Sequence, residues 1–483
     1  MFRRRWSGLP ADPVFPSDLK ELGYFINDMD EIRSVEYSDY YFKYFLTKNT
    51  RWNERQRFAF NDAVTKIIRT RLTTTEHLTT VPLPLGTPPS QPHVPIMVSA
   101  NLSAATRVVL LVGEPCQSLG VLAHRVIGGR GGITRGSALG LIQGLKTQQS
   151  SASDRAPPGV VLANPGELWW WPEGGRGLTP IERHQVPMSS AVHYGRRHDP
   201  KVNEVPENRS VAEHVRGVFE AVVMGDMLRK EAKVDVIAVG DAADVVEAYL
   251  NDDKVWEKVK GRLGCLVVMG GFYNSDNFKC EGFKEFMKER ARAYIIHHTP
   301  LDTPISGASG NPGAAAFTAY GCPVYSAGDT KVTETMLIDA QPAVLKWIQR
   351  VALEGDAYKN EELEFFGEEG TGITTEALDS PWMDVAEENG TQPNAKEGVT
   401  LTDSAAERDS GEAQAQENES AKTGDTKARA DVKEVQTDEE AMGGGEKVEG
   451  GESESKPSPT REAHGPGDLA DLAKRTDDVQ ITG

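Results

Sequence analysis

Short runs of consecutive apolar residues along this chain alternate with segments in which apolar residues recur every three or four positions. The continuous runs predict buried strands at 107–113, 159–163, 234–239, 265–269, 293–296 and 322–326. The periodic segments predict amphipathic helices at 52–72, 210–223, 253–261, 281–291 and 332–353. Such an alternation is typical of a parallel sheet covered by helices on both faces, so we predict one α/β domain over residues 98–354.

The residues before this domain, 12–97, are rich in aromatic side chains and contain the first predicted helix. We expect this N-terminal segment to pack on the α/β body. Prolines cluster over residues 80–96, and this composition is typical of a surface connector between the two parts.

Charge separates the end of the chain from the rest. Residues 361–483 carry 32 acidic and 11 basic side chains, whereas the other 360 residues carry 40 and 42. Aromatic residues also nearly vanish after Trp382. Such a composition cannot bury enough apolar surface to offset the entropy of ordering it, so we predict a disordered acidic tail over 355–483. The nearly neutral body gives no general attraction to nucleic acid or to a membrane surface.

The predicted strand at 234–239 leads through a tight turn into a segment of helical periodicity, which is the form of a hydrolase nucleophile elbow. In α/β-hydrolases the elbow carries a serine in Gly-x-Ser-x-Gly, strained so that its hydroxyl stands clear of the sheet. Here Gly240-x-Ala242-x-Asp244 places the methyl group of Ala242 at the central position. The pattern predicts a hydrolase-like fold with a degenerate elbow at Gly240, Asp241 and Ala242.

The other two hydrolase roles are also poorly filled. An acid could come from Asp302, which follows the strand at 293–296, and His297 or His298 could serve a rearranged triad. No histidine follows the last predicted strand at its usual place. An active hydrolase with Asp241 as an atypical nucleophile is the alternative hypothesis.

No residue pattern predicts a metal or cofactor site. The four cysteines are scattered, and His297 and His298, as neighbours at a strand end, should point to opposite sides. Two glycine-rich loops, 128–137 and 306–313, match no nucleotide-binding pattern. The first of them could form an anion nest or be a flexible surface loop.

Aromatic and basic residues supply the candidates for partner binding. Three successive indoles, Trp169, Trp170 and Trp171, cannot all face one core, so at least one should lie in a groove or interface. Arg55 and Arg57 lie on the predicted helix 52–72. With Arg51 and the arginines of the loop 130–135, they could contact RNA directly, although a structural role at the wet edge of that helix is the simpler interpretation.

The chain resembles the fungal Argonaute-binding "Arb" domain family, which is α/β-hydrolase-like and related to the tail domain of fungal class II histone deacetylases. The resemblance rests on residues 53–61 (NERQRFAFN), 125–129 (RVIGG), 170–174 (WWPEG) and 239–242 (VGDA) and covers roughly residues 15–353. Some relatives keep a serine at the elbow, and this chain departs from them there.

The resemblance implies a non-catalytic protein-interaction module in small-RNA-directed silencing or heterochromatin assembly. Its expected partners are Argonaute or chromatin-silencing proteins such as histone deacetylases, with any small RNA associated indirectly. We therefore expect a nuclear or cytoplasmic, intracellular protein. The lack of a secretory signal and of an apolar run of about 20 residues agrees with that expectation.

Overall fold

The computed structural model describes residues 8–193, 195–330 and 332–365, which all lie within one compact unit, Met1–Gln392. Its strands are β1 (Tyr24–Ile26), β2 (Ile32–Ser34), β3 (Leu78–Leu83), β4 (Val94–Ser99), β5 (Arg107–Val112), β6 (Gly159–Leu162), β7 (Trp169–Trp171), β8 (Arg176–Leu178), β9 (Lys233–Val239), β10 (Leu263–Met269), β11 (Ala291–Ile295), β12 (Pro304–Ser306) and β13 (Val324–Ser326). Its helices are α1 (Thr50–Thr74), α2 (His124–Ile127), α3 (Gly132–Arg135), α4 (Ala138–Lys146), α5 (Glu182–Gln185), α6 (Pro200–Asn203), α7 (Val211–Val218), α8 (Asp241–Leu250), α9 (Asp253–Val259), α10 (Glu281–Arg290) and α11 (Met336–Glu354).

Nine of these strands form one sheet in the order β3-β4-β6-β5-β9-β10-β11-β13-β12. The central strands β6, β5, β9, β10, β11 and β13 are parallel, while β4 runs antiparallel to both of its neighbours. β9 is the fifth strand of the sheet in chain order and lies at its centre. The structure confirms the predicted α/β-hydrolase-like arrangement of a mainly parallel sheet between helices.

Each face of the sheet has its own apolar core. On one face, α1, α4 and α11 pack against the sheet through residues such as Leu72, Leu141 and Val344. On the other, α7, α8, α9 and α10 contribute Val215, Val246, Trp256 and Phe283. The predicted strands and helices of the body therefore occur with shifts of a few residues at their ends, as expected for a doubly covered sheet.

The prediction of a surface connector over 80–96 is wrong. Its two ends belong to β3 and β4, which pair from Leu78↔Ser99 to Leu83↔Val94 and form one edge of the sheet. Pro82 lies within β3, and proline is tolerated there because an edge strand leaves one side without ladder hydrogen bonds. The prolines marked an edge strand and its hairpin loop.

A buried ion pair joins β5 and β9 near their amino-terminal ends, which we call the lower end of the sheet. Arg107, the first residue of β5, donates from Nε to Asp235 Oδ2 of β9 at 2.6 Å, and both side chains are nearly inaccessible. The remaining guanidinium nitrogens donate to Gln148 Oε1, Gln149 O and Ile348 O, so the buried cation is well compensated.

The described chain continues past residue 354, where we predicted the tail to begin. Tyr358 is 1% exposed and its hydroxyl accepts from Trp347 Nε1 at 2.6 Å. Asn360 donates to Ala291 O at 2.7 Å. The predicted tail from residue 366 onward lies outside the described residues. Within the described part, no helix combines the length and apolar character that crossing a membrane requires.

Candidate functional site: a degenerate nucleophile elbow

The turn between β9 and α8 has the strained conformation of a nucleophile elbow, and Gly240 lies at its centre. Its backbone angles are φ 60° and ψ −140°, a combination that residues other than glycine rarely adopt. Its N–H donates to Met269 O of β10 at 2.8 Å, and its carbonyl accepts from Ala243 N at 2.9 Å. The neighbouring strand and the helix therefore hold the turn in place.

This geometry displaces the sequence-based alignment of the elbow by two residues. The strained position belongs to Gly240 and not to Ala242, which is 0% exposed and lies inside the first turn of α8. The elbow pattern is thus Ala238-x-Gly240-x-Ala242, with small residues on both sides of the strained position. The missing nucleophile is a missing side chain, because glycine has neither hydroxyl nor carboxyl to offer.

Glu114 occupies the space over this empty position. It follows β5, at the place where α/β-hydrolases take part of their oxyanion hole. An ideal Cβ atom on Gly240 would lie 3.1 Å from Cγ and 3.3 Å from Oε1 of Glu114. Burial raises the pKa of Glu114, and the negative charges of Glu334 and Asp241 raise it further. We call Gly240, Glu114, Asp241 and Glu334 the elbow site.

Glu334 lies where the chain returns after the last parallel strand, on the side where a hydrolase would supply its histidine. Glu334 Oε1 accepts from Arg125 N at 3.4 Å and from Gln117 Nε2 at 3.5 Å, and Arg125 Nε lies 3.8 Å from Oε2. The sequence has no histidine between Ser326 and His464. The segment that should carry the general base therefore carries an acid.

The only thiol exposed to solvent among the four cysteines also lies beside this site. Cys116 Sγ donates to Glu114 Oε2 at 3.4 Å. Partial burial of the sulfur, together with the Glu114 charge, raises the pKa of the Cys116 thiol to about 12. Since the thiolate is the reactive form, Cys116 is a poor nucleophile near neutral pH.

The basic side chains near the elbow site are engaged or neutral. Burial lowers the pKa of Arg57, and the charge of Glu334 partly offsets that effect, while Arg57 Nε donates to Asn61 Oδ1 at 2.9 Å. Burial and the Arg57 charge lower the pKa of His124 to about 3, so this imidazole is neutral. His124 Nδ1 has no hydrogen-bond partner among the described residues.

The other residues proposed for a triad follow β11, two strands from β9, and have local partners there. Asp302 lies beside β11, two strands from β9, near Arg292 Nη1 at 3.7 Å and Tyr294 Oη at 3.4 Å. His297 Nδ1 accepts from Thr299 N at 3.3 Å. The rings of His297 and His298 are 4.2 Å apart, so the expectation that they point to opposite sides is wrong. They follow the end of β11 and lie in irregular chain, where strand alternation does not apply.

The first glycine-rich loop binds anions, but the anions are the protein's own carboxylates. Thr134 N and Oγ1 donate to Asp30 Oδ2 at 2.8 and 2.6 Å, and Gly131 N donates to Glu31 Oε1 at 3.3 Å. Hydrogen bonding from Arg33 lowers the pKa of Glu31 to about 2. The nest is therefore a structural contact that ties the loop to the N-terminal segment.

The tryptophan run forms a short hairpin and not an open platform. Trp169–Trp171 pairs antiparallel with Arg176–Leu178. Trp169 and Trp170 are 7% and 5% exposed, whereas Trp171 is half-buried and meets Phe58 edge-on at 5.9 Å. Trp171 thus keeps a partly exposed surface, and its use by a partner stays a prediction.

The arginines of α1 divide in the same way. Arg51 Nε lies 2.6 Å from Asp12 Oδ1, and Arg55 Nε lies 3.4 Å from Asp12 Oδ2, with both arginines buried. Arg55 also donates to Gln185 O at 2.6 Å. In this conformation Arg51 and Arg55 face protein and not solvent, while Arg57 is partly exposed. Their use by a partner stays a prediction.

Acidic side chains are concentrated at the elbow site. Ester hydrolysis places negative charge on an oxyanion, which hydrolases stabilise with oriented donors. Here the Glu114 carboxyl lies over Gly240, and the negative charges of Asp241 and Glu334 act on Glu114. No group of three or more His, Cys, Asp or Glu side chains in the described residues is arranged to hold a metal ion.

Comparisons with known proteins place this geometry in context. A family model described as the Arb2 domain matches residues 15–301. Two solved structures, both of a glucuronoyl esterase from Solibacter usitatus, are similar with a TM-score of 0.25 and 10% identity, over 55% of this chain and 79% of theirs. No curated protein matches the sequence.

Proposed function

The chain belongs to the Arb2 domain family, and from that premise we propose that it is a non-catalytic, hydrolase-like protein-interaction module of small-RNA-directed silencing or heterochromatin assembly. Its proposed partners are Argonaute or a histone deacetylase complex, with small RNA associated through the partner. The proposed compartments are the nucleus and the cytoplasm.

One observation carries the non-catalytic part of this proposal: the strained elbow residue, Gly240, has no side chain. The surrounding charges agree with it, because Glu114 and Asp241 would repel a developing oxyanion. Because the strained turn is present without a nucleophile, we propose that its role is structural. The elbow then fixes the rim of the sheet on which the loops are displayed.

The binding part is supported by exposed aromatic side chains near the start of α1. Tyr40 is 64%, Phe45 72% and Trp52 43% exposed. The backbone beside them is fixed, since Leu46 N and Thr47 N both donate to Asn53 Oδ1, at 3.0 and 3.1 Å. Rigid aromatic side chains that remain exposed are common anchors of protein interfaces.

The test is affinity purification of the tagged full-length chain from its native cells, with mass spectrometry and small-RNA sequencing of the eluate. Wild type is compared with a Phe45→Ala/Trp52→Ala double variant and with Val14→Ala, whose side chain is 86% exposed but lies outside the aromatic group. We expect Argonaute or a histone deacetylase with wild type and Val14→Ala, and several-fold less with the double variant. Eluates from wild type that lack both would contradict the proposal.

The alternative function is an esterase-like hydrolase that uses Asp241. The exposed position of the Asp241 side chain at the start of α8 favours it, because a substrate could reach the carboxylate. Turnover of a small ester by wild type that Asp241→Ala abolishes would support this alternative.

A further inference from the structure

Another acidic side chain, outside the elbow site, is buried without a hydrogen-bond donor or a cation from the described part of the chain to stabilise its charge. Glu247 lies on α8, is 0% exposed, and neither carboxyl oxygen has a hydrogen-bond partner among the described residues. No described lysine or arginine forms an ion pair with it. An ionised carboxylate in such a place is far less stable than one in water, so each such group requires a physical explanation.

The same face of α8 holds down the loop 271–280 that follows β10. Asp244 Oδ1 accepts from Phe272 N at 2.7 Å and from Tyr273 N at 3.0 Å. One turn beyond Glu247, Asn251 Oδ1 accepts from Lys279 N and Cys280 N at 2.8 and 3.1 Å. Positions 244, 247 and 251 share one helix face, so Glu247 lies between the two attachment points of the loop.

The charged groups near Glu247 are Asp244, which acts on it directly, and Arg292 of β11, whose charge acts on the neighbouring Cys322. Burial raises the pKa of Glu247 well above its ordinary value, and the charge of Asp244 adds to that rise. From the chain before β13, Tyr320 and Cys322 face Glu247, and burial raises the pKa of both. Tyr320 Oη donates to Gly271 O at 2.6 Å, which closes the loop from its other side.

The charged groups on the helices that flank α8 act on a different side chain. Arg216 and Glu220, contributed by the chain of α7, and Asp252, which caps α9, all affect the pKa of Tyr249. Asp244 is thus the charge that acts on Glu247.

We propose that Glu247 is a proton-dependent latch for the loop 271–280: the loop packs over the protonated carboxyl and opens to admit water when Glu247 loses its proton. The loop carries Phe272, which is 69% exposed, and begins beside Met269, whose carbonyl holds Gly240 in the elbow. Opening would therefore change the surface next to the elbow site. This latch does not depend on the proposed partners.

The sign follows from linkage between proton binding and structure. Because the closed form holds the Glu247 proton more tightly than the open form, the closed form is favoured at low pH and is lost as the pH rises. The open population that arises through ionised Glu247 grows by about tenfold per pH unit until the pKa of the closed form is reached.

Hydrogen exchange measured by mass spectrometry on the full chain tests the latch. Amide exchange in 271–280, corrected for its intrinsic pH dependence, is followed between about pH 6 and about pH 9, a range above the ordinary glutamate pKa. In wild type we expect corrected exchange to accelerate with pH. In Glu247→Gln it should stay slow throughout, because the amide has no proton to lose in this range.

Tyr320→Phe is the matched control, since it removes the hydrogen bond to Gly271 but leaves the carboxyl in place. It should raise exchange in the loop at every pH and keep the wild-type pH dependence. Corrected exchange that is independent of pH in wild type would overturn the proposal, even if Glu247→Gln fails to fold. An unchanged pH dependence in a folded Glu247→Gln would overturn it as well.

Discussion

Strands β5 and β9 differ in how charge is compensated at their two ends. The amino-terminal ends form the lower end of the sheet, and the carboxyl-terminal ends, beside the elbow, form the upper end. At the lower end, Arg107 and Asp235 pair at 2.6 Å, and the remaining guanidinium nitrogens also find acceptors. At the upper end, Glu114 leans over Gly240 beside Asp241, and no described basic side chain forms an ion pair with Glu114. The same two strands thus end in one compensated and one uncompensated site.

The two ends therefore differ in whether their charged groups stabilise the fold. A satisfied buried pair contributes to a unique sheet register and has no capacity left for a ligand. A partly buried acidic group without a nearby cation destabilises the folded state, and packing of the core does not require it. Uncompensated acidic groups of this kind cluster at functional sites, so we propose that the lower end serves stability and the upper end does not.

The sharpest change at the compensated end is Arg107→Met. It should lower the free energy of unfolding by about 3–5 kcal/mol, because Asp235 is left as a buried, uncompensated charge. Urea unfolding measures this loss. The control is Arg350→Ala, which breaks exposed pairs with Glu354 and Glu361 and should cost less than about 1 kcal/mol. Similar costs for the two variants would remove the basis of the comparison.

At the uncompensated end, Gly240→Ala tests whether Glu114 really fills the elbow. We expect a loss of about 1–3 kcal/mol from the disfavoured backbone conformation alone, plus a steric contribution from Glu114. Gly175→Ala is the control, because Gly175 also has φ +61° but open space around it. The excess cost at Gly240 should fall when Glu114→Ala is added. Equal costs with and without Glu114 would contradict the assigned contact.

Glu114→Gln should have a smaller effect that depends on pH. The pKa of Glu114 is raised in the folded state, so wild type loses stability as the pH rises above the ordinary value of 4.5 through the folded value. The Gln variant has no such loss. The difference in urea midpoint between the two proteins should therefore grow in favour of the variant as the pH rises. A difference that is constant with pH would be evidence against the raised pKa.

The smallest expected change is in the reactivity of Cys116. The Glu114 charge contributes to the high pKa of this thiol, so Glu114→Gln should lower the pKa and speed alkylation at a fixed, mildly alkaline pH. Cys265, Cys280 and Cys322 are buried, so labelling of the folded protein reports on Cys116. A rate that does not change would show that burial alone sets the thiol pKa.

The sequence predicted those parts of the fold where local pattern and packing agree. Helix α1 and strands β5, β9 and β10 lie within a few residues of their predicted bounds, because their apolar periods match their buried faces. Strands β3 and β4 were missed, since prolines at an edge strand have the same composition as a loop.

The elbow site shows why a cluster of side chains from distant parts of the chain is harder to predict from sequence than a helix or a strand. The turn was found, but its centre was placed two residues too far along the chain, because only backbone angles identify the strained residue. Glu114 and Glu334 carried no sequence signal, since Glu114 reaches Gly240, and Glu334 acts on Glu114, from loops far apart in the chain. Residues of the family resemblance, such as Asn53 and Phe58, proved to be buried, so they support the fold more than they mark a surface.

We propose that the elbow of this fold lacks a nucleophile and that the protein does not hydrolyse esters. The most direct measurement is turnover of a panel of small activated esters by the purified full-length chain, beside Asp241→Ala and a buffer blank. We predict that wild type and Asp241→Ala are both indistinguishable from buffer. Turnover by wild type that Asp241→Ala abolishes would contradict the account and establish a hydrolase with an unusual nucleophile.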